Sequence, residues 1–289
     1  MTLFASILVD GTAYAMILFM ITVGLSITLG LMHVVNMAHG AFAMLGGFAA
    51  VELMRRVGLR FELALVLAVI ASAIVSVPIE RLVISRVYGR PELDQALLTI
   101  GVAFVAIALV NLWLGASFSS IDLPDWLSGP VDLGFRSFPR HRVAVIVLGC
   151  LVSTALWLFI ERSRFGIKLR AAVDNPGIAQ SVGINTTMLY LLAFAIGAGL
   201  AALGGIAGAE LLPMEANYPV KYLVLFLAVV SVGGQGTLFG TFLAALLLGL
   251  VDTASKYLLP GIASISFYLT MLLVLALRPQ GLLGRKDVA

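Results

Sequence analysis

The sequence predicts an all-α polytopic membrane protein with about eight or nine transmembrane segments, and three observations carry that prediction. Hydrophobic residues make up 61% of the 289-residue chain and charged residues 11%, with a mean hydropathy of +1.08. Soluble domains run near roughly 45–50% apolar and about 25% charged. Apolar runs of about 20 residues, the length needed to cross a hydrocarbon core of about 30 Å, recur along the whole chain. The polar connections between those runs are too short to fold a core of their own, so residues 1–289 read as a single transmembrane domain.

Taken in order, spans are expected near 11–31, 34–54, 62–84, 95–115, 142–160 and 188–209. The N-terminal MTLFASILVD has no basic stretch of the kind that opens a signal peptide, so the first apolar segment is expected to stay as a span. Only Met32 and His33 separate the first two spans. Two readings follow: a tight hairpin, or a second helix that is broken and partly re-entrant. From Tyr222 to Val251 no charge occurs. As one helix that run would measure roughly 45 Å, too long for the bilayer. Gly233-Gly234-Gln235-Gly236-Thr237 lies in its middle, which predicts two segments, 222–233 and 238–256, before a last span near 262–277.

Gly204 and Gly208, Gly236 and Gly240, and Gly197 and Ala201 have the four-residue spacing that lets membrane helices approach closely. Cys150 cannot make an internal disulfide, being the single cysteine, and reads as a small core residue.

Glu161–Asn185, ERSRFGIKLRAAVDNPGIAQSVGIN, is a polar interruption in this apolar chain. Its Pro176 suits the first position of a helix, with Asn175 as the cap before it and Gly183 as the stop after it. The spacing predicts two short helices around a turn, outside the membrane and suited to docking another protein. Arg162, Arg164, Lys168 and Arg170 make it the densest basic patch, so it is assigned to the cytoplasm. Arg81, Arg86, Arg90, Arg278, Arg285 and Lys286 then share its side. Arg55, Arg56, Arg60, Arg136, Arg140, Arg142, Lys221 and Lys256 fall outside. Residues 116–141 become an extracytoplasmic loop, in which Ser117–Pro139, with its aspartates, prolines and Trp126, reads as a short cap.

Polar side chains inside spans are costly and face a bundle interior or a wet cavity. The stretch His33-Val34-Val35-Asn36-Met37-Ala38-His39-Gly40 is the main such case. On a helix His33, Asn36 and Gly40 share a stripe, with His39 three residues from Asn36. One reading has Asn36, His39 and Gly40 border a solute path; the other has the polar groups bond across to a neighbouring helix and hold the bundle. His33 reads as interfacial. Six residues apart, the two histidines lie on different helix faces and make no zinc pair.

Glu80 and Arg81 are expected at the interface, Asp252 and Lys256 as a local ion pair, and Asn111 as helix glue. Glu210, Glu215 and Asn217 read as loop residues, either solvated or touching a delivered solute. No GxxxxGK[ST] run supplies an ATP site, no constellation marks an intramembrane hydrolase, and no cofactor or metal site is expected. No basic cluster with interleaved aromatics points to nucleic acid.

At these residues the chain resembles a family. VVNMAHGAFAMLGGF is similar to the N-terminal hallmark of permease subunits of branched-chain amino acid ABC importers, and LRAAVDNPGIAQSVGIN to their cytoplasmic coupling segment. VVSVGGQGTLFGTFLAALLLG and ALRPQGLLGR resemble the late glycine-rich element and the closing motif. The resemblance covers essentially the whole chain. It implies a type II-like importer fold in a bacterial or archaeal inner membrane. It also implies a paralogous permease subunit, two cytoplasmic ATPase subunits and an extracytoplasmic substrate-binding protein as partners, with membrane lipid around them. Residue by residue, Asn36, His39 and Gly40 match the first motif, and Arg170, Asp174, Asn175, Pro176 and Gly183 the coupling segment. Where the family has Glu-Ala-Ala after the Asn-Pro pair, this chain has Gly177-Ile178-Ala179. The expected solute is leucine, isoleucine or valine. Urea, short amides or aromatic acids are the alternatives, and an ion-coupled secondary transporter is the rival class.

Overall fold

Helix α1 (Thr2–Leu31) is the axis of the molecule, and several of the later helices pack around it. It is apolar on every side, the pattern of a helix enclosed by others, and 94% of its membrane window is buried. The computed structural model describes residues 2–32, 34–114, 121–132 and 137–284. His33, residues 117–120 and 133–136 of the segment Ser117–Pro139, Arg285 and Lys286 therefore lie outside the described residues.

After α1 come α2 (His39–Arg55), α3 (Phe61–Leu82), a 3-10 turn (Ile84–Val87) and α4 (Glu92–Leu114). Next are β1 (Pro130–Asp132), β2 (Ser137–Pro139), α5 (Arg140–Arg162), α6 (Arg164–Asp174), α7 (Pro176–Ser181) and α8 (Thr186–Ala207). Helices α9 (Tyr218–Lys221), α10 (Leu223–Gly233), α11 (Leu238–Leu258) and, after a second 3-10 turn, α12 (Ala263–Leu277) complete the order. Among the described residues seven helices are long and apolar enough to cross a membrane; α2, with 17 residues, and α10, with 11, are the shorter pair. The only departure from all-α structure there is the small antiparallel β1–β2 hairpin, with Val131 opposite Phe138.

Small residues set how closely the helices meet. A Cβ on Gly24 would lie 2.6 Å from the Cα of Gly197, and one on Gly204 or Gly208 would strike Ile21 or Ile17. So α8 runs antiparallel to α1, and its 197-201-204-208 face is the contact, as the spacing predicts. Helix α11 is antiparallel to α1 as well: Ser26 and Thr241 hydroxyls meet at 2.9 Å, and Gly249 lies on Ala15. Helix α5 runs parallel to α1, with Gly149 on Met16 and Arg142 paired to Asp10.

The expected break between α10 and α11 is present, with a different role for its glycines. Gly234 and Gly236 take φ of +91° and +77°, which side chains rarely adopt. Gly236 therefore sits outside the helix, against Gly30, and is no helix-face partner for Gly240. The closing ALRPQGLLG segment docks here. Leu282 and Leu283 N–H groups bond the Val232 and Gly233 carbonyls at 2.7 and 3.2 Å, satisfying acceptors that a helix C-terminus leaves bare.

One expectation is corrected: Cys150 is exposed on the outer face of α5 rather than in the core. Glu80, in the last turn of α3, is buried and accepts a 2.7 Å bond from the Tyr88 hydroxyl. The pair Asp252–Lys256 forms at 2.6 Å. Asn111 Oδ1 is buried without a hydrogen-bond partner among the described residues, so it glues no helix through that atom.

Candidate functional site

Two places hold the residues singled out by sequence: the junction before α2, and the α6–α7 elbow. At the junction the chain leaves α1 and has no regular structure over 34–36 before α2 begins. Of the two sequence readings, the structure has the broken second helix. An unwound backbone at membrane depth must find its hydrogen bonds elsewhere, and here α4 supplies them. Gln95 Oε1 accepts from the Val35 N–H at 2.8 Å, and Thr99 Oγ1 accepts from the Met37 N–H at 3.0 Å. Gln95 Nε2 donates in turn to the Arg90 carbonyl at 2.9 Å. Both side chains are buried.

Asn36 is 1% exposed, and its Oδ1 accepts from the Ala38 N–H at 3.1 Å. Its Nδ2 is buried without a hydrogen-bond partner among the described residues. His39 is differently placed. Its Nε2 lies 2.9 Å from the Ile21 carbonyl of α1, and because a carbonyl only accepts, Nε2 carries the proton. Gly40 is a close-approach position: a Cβ there would lie 3.1 Å from the Cα of Pro219 and 3.3 Å from the Phe226 ring.

The elbow is built as its sequence predicts. Asn175 Oδ1 caps α7 through the Ile178 N–H at 3.0 Å, with Pro176 at the start, and Gly183 takes φ +83° where the chain turns into α8. Arg170 folds back, bonding the Ile160 carbonyl at 3.0 Å and Glu161 at 3.3 Å across the α5–α6 corner. Asp174, Asn175, Pro176 and Gly183 face outward. Beside them Ile178 and Val182 are 63% and 70% exposed, apolar side chains in a polar region.

The residues at the two ends sort as the sequence grouped them. The Tyr190 hydroxyl donates to the Ala172 carbonyl of α6 at 2.9 Å, and its ring meets Tyr88 edge-on at 6.0 Å. That places the Arg81–Arg90 segment at the elbow end, where the α10–α11 break and the Arg278 region also lie. Burial and the bond to Glu80 push the Tyr88 phenol pKa up, so it stays a donor. At the opposite end Asp10 holds Arg142 and accepts from Tyr257 at 2.5 Å, and His141 Nδ1 lies 3.0 Å from Glu210. Glu215 pairs with Lys221 at 2.6 Å and Trp126 donates to Glu62 at 2.7 Å. Asn217 is exposed.

Among the described residues no hydrogen bond or ion pair joins the elbow to the junction, and they stand as separate sites. An apolar recess of about 460 Å³ opens between α1, α5 and α11, lined by Phe19, Leu156, Trp157 and Phe242 among others, and borders neither. Sequence reasoning missed Gln95 and Thr99. Their signal was two hydrogen-bonding residues at i and i+4 in the first turns of an apolar span.

The chain is thus a multi-pass helical bundle with an unwound junction before α2 and an exposed two-helix elbow at one end. The comparison with protein families gives it a narrower place. Residues 7–276 match the family described as "Branched-chain amino acid transport system / permease component", and the chain belongs to that family. It is a multi-pass membrane protein and the transport subunit of an ABC importer, a type that works with ATPase and binding-protein partners.

The chain is 27% identical to the high-affinity branched-chain amino acid transport system permease protein LivH of Salmonella typhimurium, over 96% of this chain and 93% of that protein. It is 26% identical to the permease protein LivM of the same organism, over 95% of this chain and 69% of LivM. It is also 28% identical to the autoinducer 2 import system permease protein LsrC of Salmonella paratyphi B, over 54% of this chain and 45% of LsrC. No solved structure matches the chain.

Proposed function

We propose that this permease carries branched-chain or related hydrophobic amino acids inward by alternating access. The Asn36 junction borders the path, and the 161–187 elbow, on the cytoplasmic side, grips the ATPases. The observation that carries this reading is the elbow itself: Ile178 and Val182 stand exposed beside the Asn175 cap, a surface that fits a groove on another protein. Closure of two ATP-bound partners would move α6–α7 and, through α8 and α5, switch the bundle between outward and inward access. Because LivH and LivM of one organism both resemble this chain, a paralogous permease is the natural second half. A binding protein outside supplies the affinity, consistent with how few free polar groups line the spans.

The same family carrying urea, short amides or aromatic acids is the second reading. It rests on Gly177-Ile178-Ala179 in place of Glu-Ala-Ala, a departure that leaves room for a different solute, and on the similarity to an autoinducer 2 permease, a relative whose name gives a solute other than an amino acid.

The test is purification of the complex and uptake in liposomes. ATP-driven leucine uptake, competed by isoleucine and valine, is the expected result. Competition by urea, a short amide or an aromatic acid instead would move the solute to the second reading. Ion-driven uptake by this chain alone would overturn the ATP-driven mechanism.

A further inference from the structure

We infer that Gln95 and Thr99 are positioning residues of the gate, and that α4 is the lever that works the unwound 34–38 segment. The inference rests on the proposed path at Asn36 and extends it to a part of the chain that no motif marks.

Helix α4 buries one stripe: Gln95, Thr99, Ala103, Ala106, Ile107 and Val110. The rest faces away from the bundle, with Leu93, Leu97, Phe104 and Leu109 all more than half exposed. Lipid tails are as apolar as these side chains, so hydrophobicity does little to press α4 onto its neighbours. Hydrogen bonds therefore decide where its first turns sit, and two of these come from the backbone of the unwound stretch: Val35 N–H to Gln95 and Met37 N–H to Thr99. The single proton of the Thr99 hydroxyl has the Gln95 carbonyl of its own helix as nearest acceptor at 2.8 Å, with the Val35 carbonyl at 3.2 Å. These bonds flank Asn36 on both sides. Were α4 to shift, Asn36 and the start of α2 would have to follow.

The lever has an input at the elbow end. Gln95 Nε2 is bonded to the Arg90 carbonyl, on the connection that carries Tyr88. Tyr88 bonds Glu80 and meets the ring of Tyr190, whose hydroxyl is fixed to the Ala172 carbonyl of α6. A continuous set of packed and hydrogen-bonded groups thus joins α6 to Asn36. Intermediate position alone does not establish coupling, so the test needs a readout that loose packing would not move.

Thr99→Val keeps the side-chain shape and removes the oxygen; Thr99→Ser keeps the oxygen and removes a methyl. In the assembled transporter, amide hydrogen exchange over 34–38 and solute imported per ATP hydrolysed are measured for both. Thr99→Val should raise exchange in that segment about tenfold and cut solute per ATP at least fivefold. Thr99→Ser should restore both to within twofold. Gln95→Met should act as Thr99→Val does, and serves if that variant assembles poorly. Unchanged exchange, faster exchange with normal solute per ATP, or failure of serine to rescue would each overturn the gate. Absence of ATP-driven uptake in the unsubstituted complex would instead bring down the transport reading and the gate with it.

Discussion

Asn36 and His39 stand three residues apart in the same polar stretch, yet they use their hydrogen-bonding groups in different ways. The His39 proton is spent on the Ile21 carbonyl, a bond that ties α2 to α1. Asn36 closes a turn with its oxygen, and its nitrogen has no hydrogen-bond partner among the described residues. Removing the His39 bond with a side chain of close volume, as in His39→Leu, should cost about 1 kcal/mol of stability and leave uptake within twofold; a thermal melt and an uptake assay on one preparation decide it. Asn36→Leu should reduce uptake about tenfold, equivalent to about 1.4 kcal/mol, with the yield of assembled complex within twofold. Equal loss of assembly and uptake would make Asn36 a packing residue. Neither distinction was legible in sequence, because both depend on which atoms of α1 and α4 lie opposite. The exposure of Cys150 was hidden for a related reason: a lipid-facing position and a core position have the same hydropathy.

At the scale of the element, legibility follows how local the determinants are. The α6–α7 elbow could be read in its middle, because a cap acts within three residues: Asn175 on Ile178 was legible, whereas the equally local caps of Ser163 on Gly166 and Asn185 on Met188 were not singled out. The α10–α11 break was legible for the same reason, two positive-φ glycines in an uncharged run too long for one helix. The α2 break was only half legible. Its polar composition shows in sequence, but the partners that hold it open come from 60 and 62 positions away. Within the elbow the structure separates roles that sequence had pooled. Arg170 braces the α5–α6 corner, and its exposed pair with Glu161 adds little, about 0–1 kcal/mol. The outward surface is Asp174, Ile178 and Val182. Ile178→Asp should therefore abolish co-purification of the ATPase while membrane insertion stays intact. Arg170→Ala should lower coupled ATP hydrolysis with the partner still bound. Retention of the ATPase by Ile178→Asp would remove α7 from the docking surface.

Across the whole molecule the determinant is where charge collects. Basic residues cluster at both ends, and counted over the whole chain they favour one side only weakly, ten against eight. The structure sharpens that count without deciding it. At the α1 N-terminal end Arg142, Lys221 and Lys256 are each paired with a carboxylate. At the elbow end the basic residues of α6 outnumber the acids. Orientation responds to lysine and arginine near span ends and far less to acidic residues, so the local pairing cannot substitute for a direct measurement. With Cys150 replaced by serine, Val182→Cys and Trp126→Cys report the two ends separately, both positions being exposed. A membrane-impermeant maleimide added to intact cells should label Trp126→Cys and spare Val182→Cys until the membrane is opened. The reverse pattern would put the elbow on the outer face, out of reach of any cytoplasmic ATPase. The importer mechanism would then lose its drive even with every helix placed as described.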